Sequence, residues 1–430
     1  MQRREFLKGV MAWPLIQQKW PTLGLNNAPI RVITSGPSYH WFGYYDKLQF
    51  DPTGRFVLGM RVEFDGRSPQ PDDVIEIGII DLQKNDTNGI AQWQKVGESR
   101  AWSWQQGCML QWVPKSNRHI LWNDRATEGR YKNQFVCHIL DVKTGQKHTL
   151  PRAIYALSPN GRWAVGTEFS RIQDLRPGYG YAGLSDPYYD EKKPSAIGIY
   201  RMNLKNGHSH LLMSLEEAAQ IPHRGESMAD NFHWFNHLLV NPTGTRITFL
   251  HRWRQQREER QKMAVGGFST RMFTLNANGS QPFIIDASGH TSHFIWRDTT
   301  HICAYTRPEG YPWGFYVLED HTGKIAPIQT NKMPVNGHQT YVPGRNNEWL
   351  LNDNYANPQN RNQTPYLYHI PTDRRIDLGH FPAAENAVGE WRCDLHPRCS
   401  PDGNYVCIDS THGGNGRQMY LIDIRPYFQN

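Results

Sequence analysis

The phrase Ser400-Pro-Asp-Gly-Asn404, set between two apolar runs, decides the fold of this 430-residue chain. Proline fixes φ and glycine adopts φ > 0, so the phrase predicts a tight turn between antiparallel strands. Three more phrases share this pattern: Asp51-Pro-Thr-Gly-Arg55, Ser158-Pro-Asn-Gly-Arg162 and Asn241-Pro-Thr-Gly-Thr245. The turn glycines, at 54, 161, 244 and 403, stand 107, 83 and 159 residues apart. These gaps correspond to two, two and three units of about 40–55 residues, a period typical of a β-propeller.

Polar hairpin turns and a last apolar strand over residues 419–423 mark the remaining units. We therefore predict an all-β fold, a seven-bladed β-propeller over residues 29–430, closed by an N-terminal strand around residues 29–34. A β-sandwich of unrelated hairpins is the alternative, but a chain of this length with so regular a period favours the propeller. The innermost strands are expected to start near seven positions: Tyr44, Met109, Ile154, His237, Phe294, Thr340 and His396.

The net charge of the chain indicates which class of binding partner to expect. The chain has 47 Lys and Arg against 40 Asp and Glu, a formal net charge of +7, which favours polyanionic partners. No nucleic-acid-binding motif accompanies the charge, so an acidic polysaccharide is the expected partner rather than nucleic acid. The sequence contains no run of 18 apolar residues, and we therefore predict no membrane span. A monomer or a loose dimer is expected.

The N-terminus carries its own signal. Arg3-Arg4, one spacer and Phe6-Leu7-Lys8 are close to a twin-arginine export signal. Residues 1–28 are therefore predicted to lie outside the fold, and the protein to be exported to the periplasm. The six cysteines form no C-x-x-C pair and no dense framework, which predicts buried thiols rather than disulfides.

Unusual polar residues concentrate on one predicted face, built from the loops that lead into the innermost strands and the loops that join second to third strands. Three histidines of adjacent blades, His293, His338 and His396, converge there on the axis. Such imidazoles suit a divalent transition metal, with Asp394 or Gln339 adding an oxygen ligand. Arginines on the same face would bind carboxylates. The residues expected to bind substrate are Tyr45, Asp46, Arg125, Arg171, Tyr179, His237, Arg252 and Arg254.

Short patches resemble the oligogalacturonate lyases and, more loosely, the propeller-fold ulvan lyases. They include Gly43-Tyr-Tyr-Asp-Lys47, the stretches 237–254 and 270–276, His293-Phe-Ile-Trp296 and the stretch 394–403. The resemblance implies a lyase that binds Mn²⁺ or a similar ion through His338 and His396.

The resemblance also implies roles for other residues. The proton-abstracting arginine corresponds to Arg271, a histidine close to the reacting sugar to His293, and a strand-end histidine to His251. Where that family has a further His and a Gln, this chain has Asp394 and Trp391, so the metal shell is altered and a different ion is possible.

The chemistry of β-elimination does not decide which residue removes the proton. β-Elimination removes the C5 proton of a uronate, which requires that the carboxylate be neutralised by a metal or an arginine. Arginine is an awkward base because its pKa exceeds about 12. Arg271 is therefore either the base or the carboxylate clamp, with His293, His251 or Tyr179 moving the proton. The sequence shows no G-x-S-x-G elbow of a serine hydrolase. A non-catalytic carbohydrate-binding or interaction propeller is the alternative function.

Overall fold

A computed structural model describes residues 28–87, 89–257, 267–328 and 330–428. Seven antiparallel sheets of four strands each form the blades of a β-propeller, which confirms the predicted fold. Residues 1–27, which hold the predicted export signal, lie outside the described residues.

The first strand and the first three blades follow one another along the chain. The first strand is β1 (Ile30–Val32). Blade 1 contains β2 (Tyr39–Trp41), β3 (Phe56–Val62), β4 (Ile75–Asn85) and β5 (Ala91–Ser99). Blade 2 contains β6 (Gln111–Trp112), β7 (His119–Ala126), β8 (Gln134–Asp141) and β9 (Lys147–Leu150). Blade 3 contains β10 (Ala156–Leu157), β11 (Trp163–Gly166), β12 (Gly198–Asn203) and β13 (Ser209–Ser214).

The last four blades complete the circle. Blade 4 contains β14 (Phe232–Val240), β15 (Arg246–Arg254), β16 (Ser269–Asn276) and β17 (Phe283–Asp286). Blade 5 contains β18 (Phe294–Trp296), β19 (His301–Thr306), β20 (Gly314–Glu319) and β21 (Ile325–Pro327). Blade 6 contains β22 (Thr340–Tyr341), β23 (Trp349–Asn352), β25 (Tyr366–His369) and β26 (Arg374–Asp377), while β24 (Asn362–Gln363) pairs with β27 (Phe381–Pro382). Blade 7 contains β28 (Arg398–Cys399), β29 (Tyr405–Ser410) and β30 (Gln418–Asp423).

Blade 7 is completed by the N-terminal strand, as predicted. Strand β1 pairs antiparallel with β30, with Ile30 opposite Ile422 and Val32 opposite Tyr420. The two ends of the described chain therefore share one sheet. This closure removes the exposed strand edges that an open circle of blades would leave.

The four quoted phrases form the same turn. In each, the glycine N–H donates to the carbonyl oxygen three residues earlier at 2.9 Å, and φ is 71° at Gly54, 66° at Gly161, 73° at Gly244 and 67° at Gly403. Each turn joins the first strand of a blade to the second. The loops leading into the innermost strands lie at the other ends of those strands, on the opposite face.

Among the residues that the structure describes, helices are few and short. They are α1 (Phe169–Leu175), α2 (Leu215–Gln220) and the 3₁₀ turns Gly129–Tyr131, Gly389–Trp391 and Arg425–Tyr427. Helix α2 begins with a capping box, in which Ser214 and Glu217 satisfy each other's backbone N–H groups. No helix among the described residues is long and apolar enough to cross a membrane. All six cysteines carry free thiols.

Candidate metal centre and active site

Histidines of four neighbouring blades meet on the axis; three of them precede their innermost strands and one lies within its strand. His237 lies in β14, and His293, His338 and His396 lie one or two residues before β18, β22 and β28. The ring centroids of His293 and His338 are 4.3 Å apart, those of His338 and His396 are 4.2 Å apart, and those of His237 and His293 are 5.8 Å apart. All four side chains are buried. The predicted convergence of His293, His338 and His396 is therefore observed, and His237 lies beside them.

Two of the histidines adopt a rare backbone conformation. The φ angles are +52° at His237 and +42° at His396, in the left-handed region that non-glycine residues seldom occupy. At His237 the register of β14 against β15 shifts, so the residue sits in a bulge of the innermost strand. Bulges and left-handed residues are common next to functional sites, because they redirect a side chain that a regular strand would aim elsewhere.

Three side chains form a possible metal-binding group. One ligand atom each from His338, Asp394 and His396 lies within 4.8 Å of the others, and all three residues are buried. Two imidazoles and one carboxylate are a common donor set for divalent transition metals. The Nε2 of His396 is buried and has no hydrogen-bond partner in the described part of the chain. Burial, reinforced by His338 and nearby arginines, holds the pKa of His396 well below its usual value, so its ring is neutral and able to bind a metal.

Asp353 orients one of these ligands. Its carboxylate accepts a hydrogen bond from Nδ1 of His338 at 2.9 Å and from the backbone N–H of His338 at 2.7 Å. Nδ1 therefore carries a proton, and Nε2 is the ring nitrogen that could bind a metal. Gly337 permits this approach, since a Cβ there would stand 2.0 Å from the carbonyl oxygen of Asp353. A carboxylate behind a histidine is the usual outer support of a metal ligand.

Two tyrosines of blade 1 fill the space among the histidines. The hydroxyl of Tyr44 lies 2.6 Å from Nδ1 of His237. Burial, together with His338, lowers the pKa of His237 to about 3. Tyr45 donates to the carbonyl of Phe294 at 2.9 Å, and its ring contacts His338 at 5.5 Å between centroids. These contacts hold the imidazoles in fixed positions.

Asp46 belongs to a buried ion pair beside these tyrosines. Its Oδ2 lies 2.7 Å from Nζ of Lys47, and both side chains are 3% exposed. The other carboxylate oxygen, Oδ1, is buried and has no partner among the described residues. This unused oxygen is an acceptor that a ligand hydroxyl would satisfy.

An arginine links the metal-binding group to a tyrosine. Nε of Arg392 donates to Asp394 at 2.8 Å, and Nη2 donates to the hydroxyl oxygen of Tyr179 at 2.9 Å. The guanidinium of Arg176 lies 4.1 Å from the centroid of the same tyrosine ring. Burial by itself would raise the pKa of Tyr179, but Arg392 and Arg176 outweigh it and lower the pKa. The phenolate form of Tyr179 is therefore favoured by two cations.

His293 forms a second polar group on the other side of His338. Its Nδ1 lies 3.2 Å from Oδ1 of Asn336, and its Nε2 lies 3.5 Å from the hydroxyl of Tyr355. Asn336 uses its amide nitrogen to donate to Ser292, so its oxygen is the acceptor for Nδ1–H of His293. Burial, and then the proximity of His338 and His237, keep the pKa of His293 well below its usual value. His293 is therefore neutral, with a lone pair on Nε2.

Further arginines surround one phenylalanine close to Tyr179. The distances to the centroid of the Phe268 ring are 4.7, 4.9 and 5.8 Å from the guanidinium carbons of Arg176, Arg252 and Arg254. Arg252 and Arg254 are both 3% exposed. Buried cations this close together create an electropositive region beside Tyr179, which suits an acidic ligand.

The structure does not bring Arg271 or His251 to this centre. Arg271, in β16, donates to Nδ1 of His251 at 3.1 Å and to the backbone oxygens of Ala218, Ile221 and Pro222 at 2.8, 2.9 and 3.0 Å. These oxygens belong to the end of α2 and the residues after it. Burial lowers the pKa of Arg271 to about 10, so it remains charged at neutral pH. Its guanidinium is thus occupied by the backbone, and its catalytic role, like that of His251, stays a prediction.

Two of the residues that were predicted to bind substrate lie apart from the centre. Arg171 is buried in an ion pair with Asp186 at 2.8 Å and donates to the carbonyl of His233 at 2.6 Å. Arg125 donates to the carbonyl of Pro71 at 2.6 Å and lines a cleft of about 780 Å³ at blades 1 and 2. Arg171 therefore connects blade 3 to blade 4 by hydrogen bonds. Arg125 lines a cleft that does not contain the central histidines.

Sequence reasoning missed the roles of Asp353 and Arg392. Arg392, Asp394 and His396 alternate along the chain, and alternate residues of an extended segment face the same way. That spacing could have pointed to Arg392. No comparable signal marks Asp353, because it follows β23 and its partner His338 lies 15 residues earlier, before β22. Trp391, which stands where the resembled family has a ligand, donates its indole N–H to Asn386.

Comparisons with known proteins agree with the fold. The sequence matches no protein-family profile and no curated protein. Among solved structures, it is similar to an oligogalacturonate lyase in complex with manganese, with 13% identity, a TM-score of 0.63 and coverage of 92% of this chain and 93% of that one. It is equally similar to an oligogalacturonate lyase from Vibrio parahaemolyticus, with 13% identity, a TM-score of 0.64 and coverage of 93% and 94%. The likeness inferred from short patches is therefore confirmed for the fold.

Proposed function

We propose that this protein is a lyase that cleaves uronate-containing acidic oligosaccharides by metal-assisted β-elimination. The observation that carries the proposal is the buried group of His338, Asp394 and His396, joined through Arg392 to the hydroxyl of Tyr179. A metal-binding group, a cation and a proton-transfer group within one hydrogen-bonded array are the parts that this reaction requires.

The reaction sets clear demands on the site. A base removes the proton on C5, the electron pair forms the C4–C5 double bond, and the bond from C4 to the leaving oxygen breaks. The leaving oxygen then takes up a proton. Because the C5 proton is only weakly acidic, the negative charge that develops on the adjacent carboxylate has to be stabilised by fixed positive charge.

The donor set fits a divalent ion such as Mn²⁺. His338, Asp394 and His396 would hold it, and Asp353 would keep Nε2 of His338 available. When bound, the ion would supply Lewis acidity toward the substrate carboxylate. Arg392 adds a positive charge that belongs to the chain itself, because Asp394, Tyr179 and Tyr355 outweigh its burial and raise its pKa.

Tyr179 is the best-placed base for C5. Its hydroxyl oxygen accepts from Arg392 at 2.9 Å, and Arg176 covers its ring. Two guanidiniums lower the pKa of Tyr179 and so favour its phenolate form, and its oxygen is linked to the metal-binding group through Arg392. We assign proton abstraction to Tyr179 in preference to Arg271, whose guanidinium is engaged by four hydrogen bonds.

Tyr355 is the candidate proton donor to the leaving oxygen, and His293 is its neighbour. They lie against His338, and the hydroxyl of Tyr355 is 3.5 Å from Nε2 of His293. Without substrate the tyrosine hydroxyl is directed at Nε2 of His293, and in the reaction it donates its single proton to the leaving oxygen instead. Base and acid thus flank the metal-binding group.

The test is the formation of an unsaturated product. Purified protein is loaded with Mn²⁺ and incubated with pectic, ulvan-type and other acidic oligosaccharides, and the absorbance of the new double bond is followed over time. Activity that disappears with a chelator and returns with Mn²⁺ supports the proposal. The double variant His338→Ala/His396→Ala serves as the inactive control, with its folding verified by circular dichroism.

Two other results would count against it. Binding of acidic oligosaccharides without any unsaturated product would favour a non-catalytic carbohydrate-binding propeller. Stoichiometric metal in the His338→Ala/His396→Ala double variant would exclude the assigned metal site.

A further inference from the structure

A second groove lies on the same face as the metal-binding group. It has a volume of about 370 Å³ and is lined by residues of three loops: Arg224, His290, Arg307, Pro308, Glu309, Gly310 and Tyr311. Arg224 and His290 belong to the segments that lead into β14 and β18, and the other residues join β19 to β20. These are the kinds of loop that also carry the central histidines.

Aromatic rings are exposed at this groove. Tyr311, which lines the groove, is 44% exposed, and Trp313, which lies against the lining residue His290, is 39% exposed. Trp313 stacks on Tyr305 with 5.5 Å between centroids and an interplanar angle of 19°, and its other neighbour is His290 at 5.2 Å. An exposed ring that is supported from behind is a ready surface for the apolar face of a sugar.

The loop that carries these rings is stiff. Pro308 and Pro312 fix φ on either side of Tyr311, whose N–H donates to the carbonyl of Pro308 at 3.0 Å. The hydroxyl of Tyr316 donates to the carbonyl of Pro312 at 2.6 Å. Because the loop is already ordered, a ligand would bind with little loss of conformational entropy.

The charge of the groove is positive. Arg224 and Arg307 face it, against the single carboxylate of Glu309. Arg224 lies 4.0 Å from Glu309, and both side chains are more than half exposed, so this pair is weak. Burial, followed by Arg307 and Arg224, lowers the pKa of His290, which is therefore neutral. Two arginines with one acidic neighbour favour an anionic ligand that also carries hydroxyl groups.

The groove is adjacent to the centre. His290 at its edge and His293 at the centre are three positions apart in the sequence, a span of about 10 Å at most. Ser292 between them accepts from Asn336, which also contacts His293. A single extended molecule of a few sugar units could therefore reach both places.

We propose that this groove is an outer subsite for a second acidic sugar of the same oligosaccharide, distal to the unit held at the metal-binding group. Trp313 and Tyr311 pack against the sugar ring, Arg307 and Arg224 bind its carboxylate or sulfate, and Glu309 accepts from its hydroxyls. This inference rests on the proposed function of the centre for the identity of the ligand.

Equilibrium binding tests the subsite without turnover. The full chain is titrated calorimetrically, in the presence of a chelator, with oligouronates of two to five units. Wild type should bind the longer oligomers more tightly than the dimer, and Trp313→Ala and Arg307→Ala should each weaken that binding about tenfold. Arg307→Lys should recover part of the loss. Arg162→Ala, which removes an exposed arginine at a turn of the opposite face, is the matched control and should change nothing.

The outcomes separate the two proposals. Wild-type affinity for every length in Trp313→Ala and Arg307→Ala overturns the subsite. Equally tight binding of neutral oligosaccharides overturns the preference of the subsite for anionic ligands. Tighter binding of a sulfated than of a uronate oligomer would identify sulfate as the group that the arginines bind. Trp313-dependent binding without an unsaturated product in the metal-loaded protein supports the subsite and refutes the lyase. No binding of any acidic oligosaccharide to wild type overturns both.

Discussion

Asp353 holds His338 by two hydrogen bonds, one to the ring Nδ1 at 2.9 Å and one to the backbone N–H at 2.7 Å. The ring therefore cannot rotate or change tautomer without breaking a buried contact. Because both partners are essentially inaccessible to solvent, water does not replace Asp353 when the contact is lost.

Asp353→Asn should weaken metal binding about 10–100-fold, the usual effect of losing the outer partner of a ligating histidine. Affinity for Mn²⁺ is measured by competition with a chromophoric chelator. Asp230→Asn, at a fully exposed carboxylate, is the control and should bind like wild type. Unchanged affinity in Asp353→Asn would mean that His338 is not a ligand.

Tyr179→Phe should lower kcat by about 10²-fold or more, since a positioned base contributes about that factor. KM and metal content should stay close to those of wild type, because the ring and its contact with Arg176 remain. Tyr189→Phe, at a tyrosine that is 48% exposed, controls for the loss of a hydroxyl. Full turnover in Tyr179→Phe would remove Tyr179 from the mechanism.

The sequence was sufficient for the fold because propeller blades repeat. Pro-x-Gly turns recur with the blade period, and each turn is local, so its chemistry can be read from five residues. The closing strand β1 was also predictable, since a chain of seven blades needs a partner for its last hairpin. The predicted starts of the innermost strands agree with the structure except at blades 1 and 4, where β2 begins at Tyr39 and β14 at Phe232.

The sequence predicted only those site residues whose positions follow from the topology of the propeller. His293, His338 and His396 precede innermost strands, and such positions meet on the axis. Arg271 shows the limit of this reasoning, because a residue of a third strand can face either the substrate or a neighbouring helix. The direction of its guanidinium depends on α2, whose position comes from tertiary packing rather than from local sequence.

Acid should destabilise the fold through its buried neutral histidines. Burial, although opposed by a hydrogen bond to Gln418, lowers the pKa of His40 to about 4. In the unfolded chain the pKa is about 6.5, so between pH 6.5 and 4 the unfolded state binds more protons. The free energy of unfolding should therefore be constant above pH 6.5 and fall below it, by on the order of 3 kcal/mol for this residue at pH 4.

Urea unfolding at pH 7.5, 6, 5 and 4.5 measures this dependence. The variant His40→Gln keeps a hydrogen-bond donor but cannot titrate, and it should show a smaller loss of stability between pH 6.5 and 4.5 than wild type. His208→Gln, at an exposed histidine, is the control and should follow wild type. Equal slopes for wild type and His40→Gln would show that His40 titrates normally.

Export is a proposal that rests on residues Arg3 and Arg4. Replacing both with lysine in a reporter fusion should retain the reporter in the cytoplasm, because the twin-arginine route reads that pair specifically. Fractionation of cells into cytoplasm and periplasm provides the measurement. A fusion that is exported equally well after the change, or never exported, would refute the signal.

Arg271 allows the structural role seen here to be distinguished from the catalytic role that the family resemblance implies. Its guanidinium donates to Ala218, Ile221 and Pro222, so a shorter or differently shaped side chain would leave buried carbonyl oxygens unsatisfied. Arg271→Lys should lower the free energy of unfolding by about 2–3 kcal/mol, since lysine cannot reach three oxygens and His251 together. At temperatures where the variant is folded, kcat should stay within a few-fold of wild type. Denaturant unfolding and initial rates, measured on the same preparation, decide between the roles. A variant as stable as wild type that has lost turnover would return Arg271 to the catalytic centre and displace Tyr179 from it.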